Sequence, residues 1–263
     1  MEIDIREIMT TKELEQVQEV EEVVWQDKPT PIHQTLTTKL HGGVIIGAFL
    51  GKKLIGFQYS FPGYDGEHIY LVSHSLAVLP EYRKLGIGAK LKHKQAEVAA
   101  NKGYDRMIWT FDPLESVNAY LNLHKLGAEI ATYMENHYGE MDDGLNKGMP
   151  TDRFQVDWYF LRDKEVVEIT FDQSKVLLDS NDDGRPEQTI AKFNHKEDVW
   201  FVAIPENIQA MKLHQMDLAI EWRMATRDVF QLLLRHGYIG KDIIRSEGVS
   251  YYCFVRQEGK SIE

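Results

Sequence analysis

Arg83-Lys84-Leu85-Gly86-Ile87-Gly88 is the stretch whose residue types and spacing suit chemistry, and that chemistry is the capture of a polyanion. Gly86 and Gly88 lack Cβ, so a phosphate can approach the backbone closely there. The first turn of a following helix adds N–H donors without partners and a dipole that favours negative charge. From Arg83 to Lys94 there are five basic residues (Arg83, Lys84, Lys90, Lys92, Lys94) plus His93, and no acid, in a chain of formal net charge −11. A basic island in an acidic chain points to one specific polyanionic ligand. No Gly-Lys-Ser/Thr follows, which excludes a P-loop. The third glycine and the strand-end acid of a dinucleotide fingerprint are also missing.

The flanking residues must position this loop. An apolar, strand-like run, residues 73–80, precedes it, and a helix-like run from Ala89 to Lys102, closed by Gly103, follows. Upstream, a first strand is expected over residues 2–8. A helix from Lys12 to Trp25 follows, capped by Thr10 or Thr11 and stopped by Pro29 and Pro31. Residues 33–40 are ambiguous between loop and a second helix. Val44–Leu50 and Leu54–Phe61 read as a hairpin across Gly51-Lys52-Lys53, and a turn at residues 62–66 leads to a third strand, His68 to Val78. Downstream come a strand over 106–111 ended by Asp112-Pro113, a helix over 116–126 stopped by Gly127, and a strand from Ile130.

Arg83-x-x-Gly86-x-Gly88 between strand and helix resembles the acyl-CoA pyrophosphate loop of the GNAT N-acyltransferase superfamily. Three sequential antiparallel strands, the loop and a helix follow the order of that family's core. The second signature of the family, a helix reading Asn-x-x-Ala-x-x-Leu-Tyr-x-Lys-x-Gly-Phe, is matched at Ala119, Lys125 and Gly127. Ser73-His74, Trp109-Thr110-Phe111-Asp112-Pro113 and the segment from Tyr133 to Phe154 resemble a subgroup of GNAT proteins of this length. Two positions depart from the pattern. Ser116 stands at the Asn position, with Asn118 two residues on, and Leu123 stands where many members place the Tyr that protonates the departing thiolate. Tyr120 or Tyr133 is left as a substitute, and a thiol of ordinary pKa ~8.5 also leaves tolerably without one.

The resemblance implies a GNAT fold: a mixed, mostly antiparallel central sheet flanked by helices, of α/β (α+β) class. It implies transfer of an acyl group from acetyl-CoA, or another acyl-CoA, to the amine of a small molecule such as an amino acid, with no metal. Backbone groups of Arg83, Lys84, Leu85, Gly86, Ile87 and Gly88 would hold the pyrophosphate. Leu76, Ala77 and Val78 would pair with the pantetheine arm, Val78 could supply an oxyanion donor, and Asn118 is a further cofactor contact. His74 is the candidate base and Tyr120 the candidate acid. The competing reading of His74 is a buried, hydrogen-bonded histidine. Trp25 and Arg153 are candidate acceptor contacts. Core packing is the alternative for Trp25, and pairing with Asp152 or Asp157 is the alternative for Arg153. A succinyl donor would need a larger or basic pocket near the thioester. A non-catalytic CoA-binding module and a peptide N-acyltransferase stay open as other classes.

At 263 residues, 43% hydrophobic and 27% charged, the composition is that of an ordinary globular protein. A pI near 5.4 argues against nucleic-acid or membrane-surface binding. Lone Cys253 forms no internal disulfide, and a cytoplasmic location, with a possible homodimer, is expected. Two domains are expected: residues 1–162 as the acyl-CoA-binding catalytic domain, and 163–263 as an α/β extension. Within the extension, a helical stretch over 207–235, broken near 215–217, leads through Gly237-Tyr238 to two strands. That order repeats the closing half of a GNAT domain without its phosphate loop.

Overall fold

The computed structural model describes residues 2–144, 146–162 and 168–257. The chain forms two compact units: Met1–Trp109 with Trp158–Asp163, and Thr110–Asp157 with Lys164–Glu263. One cut thus falls next to the expected boundary at 162, but residues 110–157 group with the C-terminal part. The boundary residues Asp163 and Lys164 themselves lie outside the described residues.

In the first unit the elements run β1 (Ile3–Glu7), α1 (Thr11–Trp25), α2 (Ile32–Leu40), β2 (Val44–Leu50), β3 (Lys53–Tyr64), β4 (Ile69–Val78), α3 (Ile87–Asn101) and β5 (Met107–Phe111). The sheet order follows the sequence. The pairs β1–β2, β2–β3 and β3–β4 are antiparallel, and β4–β5 is parallel. The helix α1 starts with a reciprocal capping box. Thr10 Oγ1 accepts from the Glu13 N–H, and the Glu13 carboxylate accepts from the Thr10 N–H. Burial opposes ionisation of Glu13. The Arg6 guanidinium and the Met9 and Thr10 N–H groups outweigh it and hold the carboxyl down to about 2. Thr10→Ala should cost about 1 kcal/mol in denaturant unfolding. The stabilisation from Glu13 is present above the ordinary carboxylate range and should fade as pH falls through about 2.

Leu14, Val17 and Val20 of α1 cluster with Ile45, Phe57 and Ala77 on one face of this sheet. Full burial of each such side chain is worth about 1.5–3 kcal/mol. Gln58, next to Phe57 on β3, and Ser73, which pairs with Ser60 across a register shift in β4, face α3. The third strand runs further than the sequence suggested: β3 continues through Pro62 to Tyr64, paired with β4.

The second unit contains α4 (Ser116–Ala119), β6 (Glu129–Met134), β7 (Arg153–Trp158), β8 (Val176–Ser180), β9 (Pro186–Gln188), β10 (Val199–Pro205), α5 (Ile208–His214), α6 (Met216–Arg235), β11 (Tyr238–Arg245) and β12 (Val249–Arg256). Its sheet runs β7-β6-β11-β12-β10-β8-β9, antiparallel except for β10–β8. The C-terminal strands extend the sheet at β6, where Gly240 pairs with Ile130. The break expected near 215–217 separates α5 from α6. The expected helix over 116–126 is α-helical only to Ala119 and widens to a π-helix over Tyr120–Lys125. The polar loop expected over 179–188 is instead a β8–β9 hairpin. A strand expected over 166–171 does not form at residues 168–170, and Val166 and Val167 lie outside the described residues. Among the described residues no helix is long and apolar enough to cross a membrane.

Candidate active site

The loop before α3 has the geometry that anion capture needs. Lys84 and Gly86 take positive φ, +68° and +71°, which turns the chain sharply into α3. No side chain caps that helix, and the N–H groups of Ile87, Gly88 and Ala89 find no backbone acceptor among the described residues. A Cβ at Gly86 would meet nothing within 4 Å, so the approach is open. Arg83 Nε donates to the Val78 carbonyl at 3.1 Å and ties the loop to the end of β4. Leu85 is exposed, and Lys84 carries its charge into solvent. The fit to a pyrophosphate therefore rests on free donors, open space and positive charge together.

The strand β4 offers a free edge beside this loop. Its pairing with β5 is confined to Leu71↔Met107 and Val72↔Ile108. From Ser73 onward, through Leu76, Ala77 and Val78, the strand pairs only with β3 among the described residues. Such an edge can add an extended ligand like another strand. A β-bulge sits on it: Ser73 faces Ser60 and Ser75 faces Tyr59, leaving His74 as the extra residue. The His74 ring meets Phe61 at 5.6 Å and Tyr59 at 6.0 Å while keeping an exposed face. Among the described residues no hydrogen bond to the ring accompanies these contacts, unlike the buried, hydrogen-bonded histidine of the competing reading. Burial by these rings lowers its pKa below the ordinary 6.5. Its imidazole is therefore neutral near pH 7 and able to take a proton.

Sequence reasoning missed a buried polar cluster on the opposite face of β4. Lys92, counted above with the basic island, is turned inward and is only 3% exposed. Its Nζ lies 2.6 Å from Ser73 Oγ and 3.4 Å from the centre of the Trp109 ring. Ser73 Oγ also accepts from Gln58 Nε2 at 3.0 Å and donates to Gln95 Oε1 at 3.2 Å. The signal was present in part. Ile87, Leu91, Gln95 and Ala99 form the buried stripe of α3, so a glutamine stands in an otherwise apolar row.

Among the other candidates of the first unit, Trp25 packs edge-on against Phe57 at 6.0 Å, as the core-packing reading has it. In the second unit, Asn118 is exposed. Tyr120 stacks on His124 at 4.6 Å beneath the Arg245 guanidinium. Tyr133 donates its O–H to Asp152, and burial with that carboxylate raises its pKa far above the ordinary range. Its proton is held too firmly for an acid's role. Arg153 is buried: it donates to Asn146 Oδ1 at 2.6 Å and to the Asp152 carbonyl, and lies 3.9 Å from Asp112. Its partners are thus Asn146 and Asp112 rather than the carboxylates of Asp152 or Asp157. Leu123 is wholly buried. Among the described residues, no group of three or more His, Cys, Asp or Glu is placed to hold a metal ion.

A profile of the acetyltransferase (GNAT) family matches residues 8–128. The chain is 33% identical over 93 residues to thialysine N-epsilon-acetyltransferase of Mus musculus. That match takes in 34% of this chain and 52% of the relative, so the chain spans about half the length of the curated relative it matches. Among solved structures, yncA of Salmonella typhimurium, solved with its cofactor acetyl-CoA, aligns with a TM-score of 0.50 and 16% identity. The alignment covers 64% of this chain and 100% of that one, and at this identity the likeness concerns the fold.

Proposed function

From the membership of residues 8–128 in the acetyltransferase (GNAT) family, we propose that this chain is an acyl-CoA-dependent N-acyltransferase acting on a small amine such as an amino acid. The observation that carries the reading is the open loop at Gly86, with its three unaccepted N–H groups, next to the free edge of β4. Acetyl-CoA is the donor that family membership by itself suggests. A small acceptor is supported by the mouse relative, which is named for thialysine.

The acyl-CoA brings an activated thioester, so the protein's task is positioning and electrostatics. Ile87, Gly88 and Ala89 bind the phosphates, assisted by Arg83 and Lys84. The edge of β4 over Leu76, Ala77 and Val78 orients the arm. His74 takes a proton from the attacking amine, directly or through water, as a neutral imidazole can. As the N–C bond forms and the C–S bond breaks, CoA would leave as the thiolate, with the amine proton on His74 passing to it or to solvent. Leu123 has no proton to give, which keeps a CoA-binding module without turnover as the second reading.

Thiol release with acyl-CoA and pooled amino acids and polyamines tests the proposal. Acceptor-dependent release supports it. CoA binding without release in any pool favours the binding module. His74→Ala should lower kcat by about 100-fold or more and change CoA affinity little. Because the His74 pKa is lowered, activity should rise with pH through a limb below 6.5 and be flat near neutrality. An unchanged profile in the variant would remove His74 as base. Asn118→Ala and Tyr120→Phe test the remaining assignments.

A further inference from the structure

Lys92 stands where two strands part. The last pair between β4 and β5 is Val72↔Ile108, and the next residue on each strand is Ser73 and Trp109. Lys92 Nζ touches both, at 2.6 Å from the hydroxyl and 3.4 Å from the ring centre. No carboxylate lies within ion-pair distance of it among the described residues. Beside it, the Gln95 amide nitrogen is buried without a hydrogen-bond acceptor, and the Gln58 amide oxygen is buried without a donor. Burying an amine without a counter-ion is costly, and a leucine there would fill the space without that cost. The Trp109 face and the Ser73 hydroxyl offset only part of it. Burial accordingly pushes the Lys92 pKa well below its ordinary value. An unpaired buried amine next to a proposed site is a group waiting for an anion.

The donor-site reading above runs an extended arm from the phosphates at the loop along β4, away from Val78 towards Ser73. Its acyl end therefore arrives at the fork that Lys92 lines. We propose that Lys92 and Gln95 recognise a carboxylate at the far end of the acyl chain, so that the preferred donor is the CoA thioester of a short dicarboxylic acid. A carboxylate gives Lys92 its missing counter-ion and accepts from the Gln95 amide, whereas an acetyl methyl satisfies neither. The inference rests on the donor-site reading and deepens it. Glu21, the buried acid of the first unit, is taken up by the Thr30 N–H and hydroxyl and is not a partner of Lys92.

Calorimetric titration of CoA, acetyl-CoA and succinyl-CoA into the full chain tests it. Succinyl-CoA should bind at least about tenfold more tightly than acetyl-CoA. Over a pH series its binding should take up a proton where Lys92 titrates, read as a heat that differs between buffers of different ionisation enthalpy, because pairing raises the lowered Lys92 pKa. Lys92→Met, which keeps the volume, should weaken succinyl-CoA about 100-fold more than acetyl-CoA. Acetyl-CoA binding as tightly as succinyl-CoA, or no proton uptake, would overturn the inference while leaving the donor site standing. An equal loss for all three ligands in Lys92→Met would make the lysine a structural residue and also overturn it. If CoA itself does not bind the wild-type chain, the donor-site reading and this inference fall together. The wild-type comparison and the buffer dependence decide the matter even if the variant fails to fold.

Discussion

Gly86→Glu should abolish CoA binding, with a loss of at least about 100-fold in calorimetric titration, while the chain remains folded. Three effects act together at that residue. The backbone φ of +71° disfavours any side chain, at a cost of about 1 kcal/mol. The carboxylate would project beside the N–H groups that the phosphates need, and its charge would repel them. Open space around the Cβ position leaves no clash with the protein itself, so the loss is one of ligand binding. Gly86→Ala separates the terms, since it adds the strain without the charge and should weaken binding far less. Retention of wild-type affinity in Gly86→Glu would remove Arg83 to Gly88 from the donor site.

Asp152→Ala should be the most destabilising of the substitutions considered, by about 3–5 kcal/mol in denaturant unfolding. Within the second unit this fully buried carboxylate accepts from the Tyr133 hydroxyl, from the Asn136 N–H at 2.9 Å and from Arg227 Nε and Nη2, each at 2.8 Å. Removing it leaves a buried phenol without its acceptor and a mostly buried guanidinium with the exposed Glu135 carboxylate, 2.7 Å from Nη1, as its remaining ion-pair partner among the described residues. Burial alone would raise the Asp152 pKa, but Arg227, Tyr133 and Asn136 outweigh it and the net shift is downward. The sign follows from linkage: the stabilisation is complete above the ordinary carboxylate range and is lost as pH falls through the lowered native value. Acid unfolding of the wild type should therefore show a component below the ordinary Asp pKa of ~3.9 that Asp152→Ala lacks. Identical acid profiles would refute this.

Much of the first unit was legible because its signals are local. A threonine cap at Thr10 or Thr11, Gly51 between two β-rich runs and Gly103 after α3 each act over a few residues. The break between α5 and α6 was readable for the same reason. The helix over 116–126 was read correctly as a helix but not as a π-turn, because the apolar spacing of Ala119, Leu123 and Leu126 does not report the wider hydrogen-bond ladder. The extent of β3 was missed because Pro62 reads as a breaker, yet it is accommodated in pairing with β4.

The sequence by itself determined the glycine-bearing turn into α3 and the basic charge beside it, since both depend only on residues 83–90 in their own order. It determined the β-rich runs that become β2, β3 and β4, because residue type and the turn residues that bound each run act over a few positions. Only the tertiary structure decided that His74 is the bulged residue, because a bulge is a mismatch between two strands and exists only once Ser73 and Ser75 have taken Ser60 and Tyr59 as partners. It decided that Lys92 points inward while its basic neighbours do not, because Ser73 and Trp109 must be brought beneath α3 before there is anything for an amine to touch. The same holds for Asp112, whose place at a turn was readable but whose partner Arg223 lies 111 residues away. Charge pairing at that distance is set by packing, and no local pattern encodes it.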